Sequence, residues 1–150
     1  MTPTPAYPDD CIRGISNPQS VTSGNTIASD VFYFWERDKR SDGWIELSVN
    51  WHDDDGAIEI TLAQRKENGE IQFKYGLALL PRSGVETIMR MPGLSDMLTY
   101  ERRALPDNPY HGNLLLREGV EPAKMKQIAG TLALYVVAVI PRASSLSERK

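Results

Sequence analysis

The sequence has one cysteine, two histidines and no apolar run long enough to cross a bilayer. Each shortage excludes something. The single cysteine, Cys11, rules out an internal disulfide and suits a reducing cytoplasm. The N-terminal Met1-Thr2-Pro3-Thr4-Pro5 lacks the basic and apolar regions of a signal peptide. The apolar stretch from Gln127 to Pro141 falls short of the roughly 20 residues that a spanning helix needs. A cytoplasmic protein without membrane contact is therefore expected. There is no paired-cysteine zinc pattern, Gly-rich phosphate loop, nucleophile elbow or kinase motif. These gaps remove most nucleotide-dependent enzymes and give no reason to expect a cofactor. Enzymes with dispersed site residues stay open.

The 150 residues carry a net charge of −3, with 17 basic and 20 acidic side chains. Free nucleic-acid binders are more often basic, so nucleic acid is not the expected partner. The acid is concentrated at the front. Up to Ile60 there are eleven acidic and four basic side chains, a net of −7, which leaves +4 for the remainder. Such a front half suits a basic protein partner, or simply a solvated surface with acidic turns. Hydrophobic content of 41 % and charged content of 25 % are ordinary for a globular chain. One domain over 1–150 is expected, with flexible tails at 1–10 and 143–150.

The stretch from Trp44 to Leu80 reads as three antiparallel strands. In 44–51, Ile45, Leu47, Val49 and Trp51 alternate with Trp44, Glu46, Ser48 and Asn50, the period of a half-buried strand. The same period recurs over 57–65 and 70–80. His52-Asp53-Asp54-Asp55-Gly56 and Glu67-Asn68-Gly69-Glu70 read as the turns between them. The doubly apolar run 31–36 adds a fourth strand, Cys11–Ile15 a short one, and Asn113–Arg117 a short buried one. A short helix after Ser83 would set Val85, Ile88 and Met89 on one face. Leu94–Leu105 is read as a helix capped by Ser95, with a strand as the alternative. Pro122 opens a long apolar helix over 122–140. The expected fold is α+β: an antiparallel meander over about 31–80, with helices on one face and the C-terminal helix the main one.

The most suggestive loop is Asn108-Pro109-Tyr110-His111-Gly112-Asn113. A histidine at the mouth of a rigid strand suits general-base work or a structural hydrogen bond. Cys11 is the only thiol, so a Cys11–His111 pair, or His111 with Tyr110, is the candidate catalytic set. Asp53, Asp54 and Asp55 form an acidic turn, considered for a divalent cation but lacking the spacing of a calcium loop, so no metal is expected. Trp44, out of phase with the core, is a candidate binding anchor beside Asn50. Arg102 and Arg103, with Arg117, are candidates for holding an anion.

Three functions remain in view. The first is a protein-interaction domain without catalysis, of the size and acidity of a bacterial immunity or defence-accessory protein, contacting its partner through the outer sheet face around Trp44 with Asp53–Asp55, or through the exposed flank of the last helix. Homodimerisation through the last helix or a sheet edge is a variant of it. The second is an enzyme at the His111 loop. The third is a small-ligand or anion-binding module in the cleft between helix and sheet that uses Arg102, Arg103 or Arg117.

Overall fold

Alternation along 44–51 makes a strand whose apolar side must be covered, and the rest of the chain supplies the cover. The structure, a computed structural model, describes residues 7–16, 21–22 and 26–140. In chain order the elements are β1 (Asp10–Gly14), β2 (Val21–Thr22), β3 (Thr26–Ile27), β4 (Trp44–Trp51), α1 (Asp55–Ala63), β5 (Leu77–Pro81), α2 (Arg82–Met89), β6 (Leu98–Arg102), β7 (His111–Arg117), α3 (Pro122–Tyr135) and β8 (Ala138–Ile140). Two 3-10 turns, Ser29–Phe32 and Glu36–Asp38, precede β4. The fold is α+β. Six strands form one antiparallel sheet in the order β6-β7-β4-β1-β5-β8. β2 and β3 pair separately.

One sheet face carries the main core. Ile45, Leu47, Val49 and Trp51 of β4 are buried there with Cys11, Leu80, Leu98, Leu114 and Leu116. α3 packs on this face through Met125, Ile128, Ala129 and Leu132, and α2 joins it with Val85 and Ile88. Gly112 has a steric reason. The Trp51 indole lies over it and donates to the Glu101 carbonyl at 3.0 Å, and a Cβ at residue 112 would overlap the ring.

α1 lies on the opposite face, over β1 and β5, where Ala57 meets Ile12 and Leu77. A buried polar chain fixes it. Asn108 Nδ2 donates to Asn50 Oδ1 at 2.8 Å, Asn50 Nδ2 donates to Thr61 Oγ1 at 2.7 Å, and the Thr61 hydroxyl donates to the Ala57 carbonyl at 2.7 Å. Loop, strand and helix are thereby tied by groups that water cannot reach.

Several expectations are corrected. The run 57–65 is helical, not a strand. Asp54 caps it by accepting from the Gly56 N–H at 2.9 Å, and Ala57 and Thr61 share the buried side. The 52–56 segment is thus a helix start, not a hairpin, and α1 departs from the one-face arrangement. Residues 31–36 are not a strand either. Val31, Phe32 and Phe34 are a plug in the core beneath α3. The last strand of the expected meander begins only at Leu77, after Gly76 at φ 101°. β1 and β7, distant in sequence from β4, take the places beside it, so strands 31–80 form no meander. Residues 98–102 are a strand, not a helix: Leu98 and Tyr100 face the core. The C-terminal helix stops at Tyr135 and the chain returns as β8 on the edge of β5. The β-branched run Val136, Val137, Val139, Ile140 suits that strand. Leu134 is 85 % exposed, so α3 is not covered all round. The tails read at 1–6 and 143–150 lie outside the described residues, while Tyr7–Asp10 are placed against the sheet.

Thr61→Val keeps the shape of the side chain but strands the Asn50 amide N–H in the interior. The substitution is expected to destabilise the protein by about 1–3 kcal/mol, read as a lower urea midpoint at an unchanged slope.

Candidate functional site

Strand pairing sets the polar side chains of the second face in rows. Ser48, Asn113 and Glu101 are cross-strand partners on β4, β7 and β6. Asn50 and His111 pair in the next row, and the Arg103 N–H bonds the His111 carbonyl at 2.9 Å. Glu46 and Leu115 pair in the row on the other side. α1 stops short of these rows. They open onto a concavity of about 620 Å³ bordered by Arg40, Asp42, Glu46, Ser48, Arg103, Leu105, His111 and Asn113.

Arg40 enters this concavity from the turn before β4. It donates to Glu101 at 2.7 Å, to Glu46 at 3.3 Å, and to Asp42 through both Nε and Nη2. The hydrogen bonds donated by Arg40 hold the Asp42 carboxyl below its ordinary range, and their acceptance by Asp42, then by Glu101 and Glu46, pushes the guanidinium up. Arg103 is more loosely held, 3.7 Å from Glu101 and 57 % exposed at its side chain.

Asn113 sits at the centre of the rows and is 1 % exposed. Its amide nitrogen donates to Glu101 at 2.7 Å and to Glu46 at 3.4 Å. Two carboxylates accept only, so the amide cannot be flipped, and Oδ1 is turned away from them. That oxygen is buried without a hydrogen-bond partner.

His111 stands one row along. Its Nδ1 is 2.9 Å from the Arg103 carbonyl, and its Nε2 is 3.4 Å from Ser48 Oγ. A carbonyl can only accept, so the neutral ring carries its proton on Nδ1 and presents the Nε2 lone pair to the Ser48 hydroxyl. Ser48 is exposed. The arrangement is a hydroxyl facing a base whose orientation is fixed by the backbone.

The other expected site residues scatter. Cys11 is wholly buried on the core face and lies in register with Trp51, whereas His111 is in register with Asn50. The sheet stands between thiol and imidazole, so no Cys11–His111 pair exists. Burial, first, and then Asp10 push the thiol up to about 12, and a neutral thiol is a poor nucleophile. Tyr110 packs beside α1 and donates to Asp54 at 2.7 Å, a bond that raises its phenol. Asn50 is spent in the buried chain. Asp53 pairs with Arg102, Asp54 caps α1, and Asp55 opens the first turn of α1. Among the described residues no group of three His, Cys, Asp or Glu side chains could hold a metal. Arg102 and Arg103 part to opposite sheet faces, and only Arg103 borders the concavity. Trp44 is on the expected outer face but is stacked by Arg117 at 4.6 Å. Of the expected residues, His111, Asn113 and Arg103 come together. Ser48, Arg40, Glu46 and Glu101 complete the group and were not anticipated as site residues. The signal for Ser48 and Glu46 lay in the polar phase of β4.

Compared with known proteins, the chain matches no family model, no curated protein and no solved structure. Among the described residues, no helix is long and apolar enough to cross a membrane.

Cys11 in the native protein is expected to resist an aromatic disulfide reagent at pH 8 and to react once the chain is unfolded. The raised thiol also gives a sign. Stability is complete below the unfolded thiol's pKa of about 8.5 and falls as pH rises from there towards the folded value, by about 1.4 kcal/mol per pH unit. Cys11→Ala removes that component, so the gap between the two proteins' stabilities closes on going from pH 8 to pH 10 in urea titrations.

Proposed function

We propose that this chain is a binding domain without chemistry of its own, and that its site is the polar concavity around Asn113. One observation carries the reading. A buried carboxamide oxygen has no partner, although its nitrogen is locked by two carboxylates. An unmade hydrogen bond of this kind costs about 1–3 kcal/mol, and a ligand bringing a donor recovers it. His111 Nε2 and Ser48 Oγ add two further polar contacts within the same concavity. The reading retains the non-catalytic binding role and the small-ligand module as its two forms. The ligand is then a free molecule or a side chain of a protein partner. The sealed thiol of Cys11 suits a reducing, cytoplasmic setting. An immunity or defence-accessory role, and self-association through the β8 or β6 edge, are compatible with this proposal and have no residue that specifies them.

A fragment library titrated into isotope-labelled protein tests the site. Amide signals of Ser48, His111 and Asn113, and the Asn113 side-chain NH2, are expected to shift with the bound fragments. Fragments that move only signals of α2, α3 or the sheet edges would overturn the proposal.

A second reading rests on the 3.4 Å approach of His111 Nε2 to Ser48 Oγ. Ser48 Oγ would then bond to an acyl carbon while His111 Nε2 takes the hydroxyl proton and passes it to the departing alcohol or amine; with a fluorophosphonate the bond forms to phosphorus and fluoride leaves. A fluorophosphonate probe is expected, on this reading, to modify Ser48 in the native protein and to fail with His111→Gln. No modification of Ser48 removes the reading.

A further inference from the structure

The groups that face the concavity favour one class of ligand. Three carboxylates, Asp42, Glu46 and Glu101, stand against two guanidiniums, Arg40 and Arg103, leaving one negative charge in excess. Anions are therefore poorly matched. Two uncharged polar atoms that are not fully engaged are acceptors: Asn113 Oδ1, with no partner, and His111 Nε2, with only the long contact to Ser48. Ser48 Oγ accepts as readily as it donates. Ser48 and Asn113 are direct cross-strand partners, and His111 is two residues from Asn113 on the same strand face, so the three acceptors share one corner of the site. They are three separate single-atom acceptors on three side chains, not the paired oxygens of one carboxylate edge. A planar guanidinium prefers a carboxylate edge, whereas an ammonium has three donors in tetrahedral array.

Resting on the proposed binding site, we infer that the concavity takes a primary ammonium group, which donates to Asn113 Oδ1, His111 Nε2 and Ser48 Oγ. Arg103 gives way to it. Its ion pair with Glu101 is long and its side chain is the more exposed of the two guanidiniums. Asn113 Oδ1 is buried in the free protein, so side chains bordering the concavity shift to admit a donor, and Arg103 is the more loosely held of the two guanidiniums. The incoming cation then takes the place of Arg103 as counter-charge to Glu101, and the site keeps its one excess negative charge. Arg40 stays, because three carboxylates hold it. The same ammonium chemistry is offered by a free diamine and by a lysine of a protein partner.

Cadaverine, pentanediol and glutarate carry ammonium, hydroxyl or carboxylate on one five-carbon chain, and together they test the class. Cadaverine is expected to shift the Asn113 side-chain NH2 and the Ser48 and His111 amides at millimolar concentration, with the other two silent. Ser48→Ala, an exposed change that spares the core, is expected to weaken cadaverine about tenfold, and Asn113→Leu to abolish the shifts. A lysine-rich peptide separates the sources. Binding tighter than cadaverine indicates a protein partner, and binding no tighter indicates a free amine. Shifts from pentanediol or glutarate without cadaverine would overturn the ammonium class and leave the site standing. Silence from all three, with fragments still bound at Asn113, has the same meaning. Silence from fragments as well would overturn the site. Cadaverine shifts unaffected by Ser48→Ala would overturn the assigned position of the ammonium.

Discussion

Desolvation of one face of β4, with polar groups retained on the other, is the constraint on which the structure depends. Trp51, Ile45, Leu47 and Val49 require cover, and α3, α2 and the Val31–Phe34 plug provide it. At roughly 1.5–3 kcal/mol for each large apolar side chain removed from water, that face decides where the helices must go. The other face is left with Glu46, Ser48 and Asn50, and each must find a partner or remain wet. α1 answers for Asn50 through Thr61. Arg40 answers for Glu46. The row from Ser48 through Asn113 is answered only in part.

The period of β4 was legible because Ile45, Leu47, Val49 and Trp51 are buried throughout on one face while Glu46, Ser48 and Asn50 keep the other face polar. The second run was not. Ile58 and Leu62 are spaced four apart as well as being members of an alternating set, so the apolar positions alone do not separate strand from helix. Asp54 as an N-cap was the deciding feature, and it sat inside a turn that could equally join two strands. The plug at 31–36 has the β-branched and aromatic composition of a strand. It fails to be one because β1 occupies the place beside β4 that a strand would take. Neighbours distant in sequence decided that competition, and no local pattern records them. The C-terminal helix was legible at its start, where Pro122 fixes the first turn. Its end was not, because Val136 to Ile140 continues the helical spacing while preferring the extended state.

The site was half legible for a related reason. His111 and Asn113 are two apart with Gly112 between them, and the loop composition drew attention to all three. Gly112 answers to the core rather than to chemistry: the Trp51 indole occupies the space a side chain would need. Cys11 drew attention through its uniqueness in the chain, but its register with Trp51 sends it to the dry face. Ser48, Glu46 and Glu101 come into play only once β4, β7 and β6 are laid side by side. Register, unlike composition, is a tertiary property, since a slip of one residue would send every one of these groups to the other face.

Two buried asparagines on the same sheet face, one row apart, differ in how their amides are used. Asn50 accepts from Asn108 and donates to Thr61, so its amide is used at both ends and its role is to hold the loop, the strand and α1 together. Asn113 is as deeply buried and is used at one end only. The nitrogen of Asn113 serves Glu101 and Glu46, while its oxygen is left as an orphaned buried acceptor, which is costly to keep. The carboxylates that anchor its nitrogen, the Arg40 that anchors those carboxylates, and the carbonyl that sets the His111 tautomer all act to hold acceptors still. Holding acceptors still is what binding a donor demands, because the ordering cost is then met in the folding of the protein rather than at the moment of contact.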